Sequence, residues 1–168
     1  MALIVESGLG DANSESYVSV ADATTRHANL GNAAWAVAAS DTVREQALRN
    51  ATRYMVQAYR QRWVGNRVKV NPPQALDWPR YGVQVDGFPV HFDVVPADIA
   101  NACADLALKA LAGELAPDLT QLVTRQKVGP IETDYSLASP QFKRFRAIDM
   151  ALAPYLTGSG AMSHLVRT

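Results

Sequence analysis

The chain has one cysteine, Cys103, and no apolar run long enough to cross a membrane. A single cysteine can form neither an internal disulfide nor a cysteine-based zinc site. A membrane helix needs about 18 or more consecutive apolar residues, so we expect no contact with a membrane. The amino terminus has a short apolar patch but no basic segment before it. We therefore expect no secretory signal and a cytoplasmic location.

The motifs of common catalytic and cofactor sites are also missing. The three histidines, His27, His91 and His164, lie far apart and have no acidic partners at the spacing of metal ligands. We therefore expect no metal site. The sequence contains no nucleophile elbow, phosphate-binding loop or dinucleotide-binding glycine pattern. These absences favour a protein that binds or assembles, without a cofactor, over an enzyme.

The net charge is zero, but the two signs are separated along the chain. Residues 1–41 carry five acidic residues and one arginine, whereas residues 44–69 carry seven basic residues and one acidic residue. Such a separation suits head-to-tail association between a basic face and an acidic one. The alternative is chance segregation of charges on solvated helix faces.

Apolar periodicity and capping residues predict four helices. The first spans about residues 20–30, and the second opens at Thr42 and ends by Gly65. The third begins at Pro96 and ends before Pro117, and the fourth opens at residues 139–140. We therefore expect a mainly α fold, a small bundle of about four helices.

The segments between and beyond these helices are expected to be irregular, with one exception. Residues 65–96 are rich in proline and glycine and predict a long loop, anchored by Trp78 and Tyr81 beside Arg80. Alternation on either side of a Gly-Pro pair predicts a small β-hairpin at about residues 123–136. We expect one domain over residues 1–157, with an extended arm at 1–18 and a flexible tail at 158–168.

The second predicted helix carries Arg49, Arg53 and Arg60 on the side opposite its apolar stripe. At about 100° per residue these three arginines fall within roughly 40° of one another. A stripe of guanidinium groups could meet carboxylates of another subunit, or it could follow the phosphates of DNA. The basic stretch continues to Arg62.

Aromatic residues beside this stripe leave a second interpretation open. Exposed rings hold single strands by stacking, and Tyr54, Tyr59 and Trp63 flank the arginines. However, both tyrosines fall on the apolar side of the helix, so we expect them in the core. The neutral total charge also lacks the basic excess that is typical of an independent nucleic-acid binder.

An ordered set of segments resembles a family of small proteins of tailed phages and prophages. These segments are MALIVESG at the start, SYVSVADA at 16–23, ALRNATRY at 47–54, YRQRWVG at 59–65, ALDWPR at 75–80, VPA at 95–97 and KVGPIE at 127–132. Members of this family are labelled DnaT-like single-stranded DNA-binding proteins, and they are similar to head–tail connector, or adaptor, proteins. Of the two functions that the resemblance implies, we expect the connector, with single-stranded DNA binding in replication as the alternative.

The connector interpretation implies a structural protein of the virion neck, assembled in the host cytoplasm. It would form a homo-oligomeric ring, of about twelve copies, under the portal protein. Double-stranded DNA would pass through the ring during packaging and ejection, and a tail-completion protein would dock beneath it.

The same resemblance gives expected roles to three groups of residues. Arg49, Arg53, Arg60 and Arg62 would lie at the subunit interface or line the DNA channel. The hairpin would dock a partner through Arg125, Lys127, Glu132 and Tyr135. The tail would bind the portal through Leu165, Val166 and Arg167.

Overall fold

A computed structural model describes residues 2–117, 123–127, 132–135 and 143–158, with the backbone alone in the second and third of these ranges. The helices are α1 (Val20–Asn29), α2 (Ala33–Ala36), α3 (Asp41–Tyr59), α4 (Ala97–Ala112) and α5 (Arg146–Leu152), which leads into a 3₁₀ turn at Ala153–Tyr155. The strands are β1 (Asn66–Arg67), β2 (Arg80–Tyr81), β3 (Gln84–Val85), β4 (Phe88–Pro89), β5 (Val123–Lys127) and β6 (Glu132–Tyr135). No helix of these described ranges has both the length and the apolar character needed to cross a membrane.

The core forms where α3 packs along α4. Leu48 and Met55 of α3, and Cys103 and Leu106 of α4, are completely buried. Burial of each leucine or methionine side chain contributes about 1.5–3 kcal/mol relative to an exposed position. Helices α1 and α5 also pack against α4, which makes α4 the most enclosed helix among the described residues.

Serine side chains set the starts of the first and third helices. Ser19 Oγ accepts a hydrogen bond from the amide of Asp22 at 3.0 Å, and Ser40 Oγ accepts one from the amide of Val43 at 3.4 Å. Each bond satisfies an amide that has no partner within its helix. The predicted first helix is confirmed at Val20–Asn29, whereas α3 starts at Asp41, one residue before the predicted opening at Thr42.

The predicted long loop contains two small antiparallel sheets. Strand β1 pairs with β2, and β3 pairs with β4. Gly65, at φ +72°, precedes β1, and a Cβ on it would collide with the carbonyl oxygen of Tyr81. Only glycine allows this close approach of two backbones.

Of the two residues expected to anchor this segment, one does so, and the neighbouring Arg80 also holds it. Trp78 is completely buried, and the Arg80 guanidinium donates hydrogen bonds to the carbonyl oxygens of Val64, Gly65 and Asp77. Tyr81, in contrast, is 51% exposed, so its predicted role as an anchor is wrong. In a two-residue strand, adjacent side chains point to opposite faces, which turns Tyr81 outward when Arg80 points inward.

The amino-terminal segment folds onto the core instead of extending from it. Glu6 is buried, and its carboxylate accepts hydrogen bonds from the amides of Gly8, Gly10 and Asp11 and from the hydroxyl of Ser14, at 2.9–3.0 Å. Four donors on one carboxylate close a compact loop. The prediction of an extended arm over residues 1–18 is therefore wrong.

The prediction of a mainly α bundle of about four helices is also wrong. The described residues form a small mixed domain of five α-helices and three two-stranded antiparallel sheets. Strands of two residues are too short to produce the alternation by which a strand is recognised in a sequence. The last helix also begins later than expected, since residues 143–145 are not helical and α5 starts at Arg146.

Both strands of the predicted β-hairpin are present. Strand β5 pairs antiparallel with β6, with Lys127 opposite Glu132 and Arg125 opposite Asp134. The register shifts between Val123 and Arg125. The predicted turn between the strands and the predicted portal-binding tail, with Leu165, Val166 and Arg167, lie outside the described residues.

Candidate nucleic-acid interface

The arginines of the predicted stripe have different surroundings. Arg49 donates to the Glu15 carboxylate at 3.0 Å and to Glu45 at 3.3 Å. Arg60 Nε lies 3.8 Å from Oδ1 of the buried Asp77. Arg53 is exposed and makes no ion pair within the described residues. The stripe therefore does not act as one surface.

Burial and hydrogen bonding change the acid strength of the groups that pair with these arginines. The Arg49 guanidinium lowers the pKa of Glu15 from its ordinary value by donating hydrogen bonds to the carboxylate. Burial raises the pKa of Asp77, and the charges of Arg60, Arg67 and Arg80 oppose this effect. Both carboxylates are part of the packed protein and so hold their arginines on this side of α3.

A groove lies along α3, and Arg53, the one arginine of the stripe without an ion pair in the described part of the chain, lines it. Its narrower part is a cavity of about 350 Å³ lined by Asn50, Arg53, Tyr54 and Gln57 of α3 and by Ala110 and residues 113–116. Its wider part, about 780 Å³, is lined by Tyr54, Gln57, Ala58, Tyr59, Arg62, Ala116, Lys143, Arg144, Arg146, Asp149, Met150, Ala153 and Gly158. The two parts are adjacent, since both are lined by Tyr54, Gln57 and Ala116, and together they are called the α3 groove below.

The α3 groove is basic although the whole chain is neutral. Five cationic side chains line it, and all of them are exposed: Arg53, Arg62, Lys143, Arg144 and Arg146. Two carboxylates, those of Glu114 and Asp149, oppose them. A concave surface lined by charges of mostly one sign concentrates the electric field and attracts ligands of the opposite sign.

Aromatic rings form the floor of the α3 groove. Tyr54 is half-buried where its two parts meet, and its ring lies edge-on to Phe145, with centroids 5.4 Å apart. The Tyr54 hydroxyl donates to the carbonyl oxygen of Lys143 at 3.4 Å, which links α3 to the segment before α5. Tyr59 and Trp63 are buried, so Tyr59 is the core residue expected from the sequence, whereas Tyr54 is accessible to a ligand.

Two cations of the groove lie over aromatic rings. The Lys143 ammonium is 5.3 Å from the centroid of Phe145, and the Arg62 guanidinium is 5.8 Å from that of Tyr59. Such contacts hold a cation at an exposed site with about 0.5–1 kcal/mol. The rings therefore favour these positions of the two charges without fixing them.

The tyrosine hydroxyls on the floor remain protonated. Burial raises the pKa of Tyr59, and its hydrogen bond to Asp149 Oδ1, 2.7 Å long, raises it further. Burial and the charge of Asp149 also raise the pKa of Tyr54. Both rings therefore add no negative charge to the groove at neutral pH.

Sequence reasoning missed the second wall of the groove. Its cations belong to the run Lys143-Arg144-Phe145-Arg146, in which three basic residues surround one aromatic residue. Basic residues interleaved with aromatic ones are typical of surfaces that bind single strands, and this was the available signal. The prediction of a fourth helix that opens at residues 139–140 included this run instead.

The remaining predicted site residues are only partly placed by the structure. The backbones of Arg125, Lys127, Glu132 and Tyr135 lie in the paired strands β5 and β6. In the chain, this hairpin is inserted between Ala116 and Lys143, both of which line the α3 groove. Within the described ranges, no group of three or more His, Cys, Asp or Glu side chains could hold a metal ion.

Comparison with known proteins gives one result for the whole chain. The family model described as "Putative DnaT-like ssDNA binding protein" matches residues 1–168. No curated protein and no solved structure matches the chain.

The family match overturns the expected connector function. Its description concerns single-stranded DNA and supports neither a virion-neck role nor a portal, a tail-completion protein or a ring as partners. The structure also explains why the arginine stripe wrongly suggested a subunit interface or a DNA channel. Arg49 and Arg60 are paired with carboxylates of the same chain. Over its whole length, the chain therefore belongs to the family that carries this description, the DnaT-like family.

Proposed function

We propose that this protein binds single-stranded DNA in the α3 groove and acts by binding, without catalysis. The observation that carries the proposal is the position of Tyr54, an accessible ring on the floor of a groove lined by five cations. Proteins that bind single strands combine a positively charged groove for the backbone with aromatic rings on which bases stack. The family description supports the same ligand.

The shape of the groove favours a single strand over a duplex. From Asn50 to Tyr59, helix α3 extends for about 14 Å at about 1.5 Å per residue, enough for a short stretch of backbone. The wider part, about 780 Å³, falls in the size range of small-molecule pockets and so has room for an unstacked base. In a duplex, the bases are stacked and paired and cannot reach such a floor.

The cations predict how binding depends on salt. A phosphate neutralised by one cation of a single-strand site contributes about −0.7 to the slope of log K against log salt concentration. If all five cations contact phosphates, we expect a slope of about −3.5. Each substitution of one of them by glutamine should make the slope shallower by about 0.7.

Fluorescence anisotropy of a labelled single strand, measured at several salt concentrations, tests this proposal. The variants are Arg62→Gln and Arg146→Gln, with Lys69→Gln as the control because Lys69 is exposed and does not line the groove. We expect weaker binding and a shallower slope for the two groove variants and wild-type behaviour for the control. Equal effects of all three substitutions, or no binding by the wild type, would refute the proposal.

A further inference from the structure

Asp149 places a carboxylate among the cations of the α3 groove. Its Oδ1 accepts the hydrogen bond from the Tyr59 hydroxyl at 2.7 Å. The side chain makes no other hydrogen bond and no ion pair within the described residues. Its second oxygen, Oδ2, therefore keeps its capacity to accept hydrogen bonds from a ligand.

The position of this carboxylate is fixed by the fold. Asp149 lies in the first turn of α5, where the amides of the helix favour a negative charge. Tyr59, which donates to it, is only 2% exposed and belongs to the packed core. A ligand in the groove therefore meets a carboxylate held in one place.

A fixed carboxylate affects the two parts of a nucleotide in opposite ways. It repels phosphates and so lowers the affinity of the groove for any DNA backbone. It also accepts hydrogen bonds from exocyclic amino groups of bases, such as N4 of cytosine. Thymine has no exocyclic amino group: its one donor, N3–H, lies between the acceptors O2 and O4, which a carboxylate repels.

We propose that Asp149 reads the bases of the bound strand and makes the groove prefer cytosine to thymine. This inference rests on the proposed binding of single-stranded DNA in the same groove. Phosphate contacts by the surrounding cations supply affinity without regard to sequence. Asp149 is then the residue that gives the groove a sequence preference.

The test compares labelled oligodeoxycytidine and oligodeoxythymidine of about 20 nucleotides, long enough to span a single-strand site, by fluorescence anisotropy. The wild type should bind the cytosine strand about fivefold more tightly, as expected for one hydrogen bond that thymine can make only against repulsion from its two carbonyl oxygens. In Asp149→Asn, the amide oxygen can still accept from Tyr59, and the amide nitrogen then faces the strand as a donor. Binding of the thymine strand should strengthen, and the preference should disappear or reverse.

Asp98→Asn is a closely matched control for this substitution. Asp98 also lies in the first turn of a helix, α4, and also accepts a tyrosine hydroxyl, that of Tyr155, at 2.9 Å. It does not line the α3 groove. This variant should therefore keep the wild-type preference for cytosine.

A modified strand tests the same inference without any protein variant. Oligomers of N4,N4-dimethylcytosine lack the amino hydrogens and should bind the wild type no better than the thymine strand does. Equal wild-type affinity for cytosine and thymine strands, or an Asp149→Asn effect of the same size on both, would overturn the inference and leave groove binding intact. Absence of salt-dependent binding to any strand would refute the proposed function itself.

Discussion

The two sides of helix α3 carry the same kind of residue in opposite electrostatic situations. On one side, Arg49 is held between Glu15 and Glu45, and Arg60 lies beside Asp77. On the other, Arg53 opens onto the α3 groove, where cations outnumber carboxylates by five to two. The first side stabilises the protein's own fold, whereas the second is available to an anionic ligand. The role of an arginine therefore depends on the residues that pack next to it. The sequence of the helix that contains it does not specify those residues.

Charge reversal in the groove should give the largest change in affinity and so tests this contrast most strongly. Arg62→Glu combined with Arg146→Glu replaces two attractive charges by two repulsive ones. We expect single-strand affinity to fall by about 100-fold at low salt, because phosphate contacts dominate such binding. The unfolding midpoint should change little, since both side chains are exposed. Anisotropy and thermal unfolding measure the two effects. A loss of stability without a loss of affinity would mean that these arginines stabilise the fold, as Arg49 does, and do not bind DNA.

Truncation of Tyr54 should have an intermediate effect. Stacking of one base on an aromatic side chain contributes about 1–3 kcal/mol, so Tyr54→Ala should weaken binding by roughly tenfold. Tyr54→Phe keeps the ring and loses only the hydroxyl contact to the Lys143 carbonyl, so it should bind almost as well as the wild type. The two variants are compared by anisotropy at fixed salt. Equal weakening in both would show that the hydroxyl contact matters and that no base stacks on the ring.

Local features of the sequence predicted the parts of the fold that local interactions determine. The first helix followed from Ser19 and its bond to the amide of Asp22, three residues away. The burial of α4 followed from apolar residues on most of its faces. The strands of the hairpin followed from alternation over residues 123–136.

Contacts between distant parts of the chain determined what the sequence analysis missed. Glu15 meets Arg49 across 34 residues, and Tyr54 meets Lys143 across 89. Helical periodicity predicted Arg49, Arg53 and Arg60 on one face, but it carries no information about what packs beside each of them. In the structure, Arg53 opens onto the groove, whereas Arg49 and Arg60 meet carboxylates. The groove was therefore only half visible in the sequence, as Arg53 and Arg62 without their opposite wall.

Removal of Arg49 should have the smallest effect, and this effect should be confined to the stability of the fold. Arg49→Gln should leave single-strand affinity unchanged, because Arg49 does not line the groove. Its partner Glu15 is partly exposed, so we expect only a small loss of stability near neutral pH.

The pH dependence of that loss identifies its cause. Arg49 lowers the pKa of Glu15 in the folded protein below its ordinary value of 4.5, so the pair stabilises the fold above that pH. The contribution is lost as the pH falls through the lowered pKa, because Glu15 then takes up a proton in the folded state as well. Chemical unfolding of wild type and Arg49→Gln should therefore give different free energies at pH values above 4.5 and converging ones in stronger acid. A difference that persists in acid would mean that Arg49 stabilises the fold through packing of its aliphatic stem and not through its ion pairs with Glu15 and Glu45.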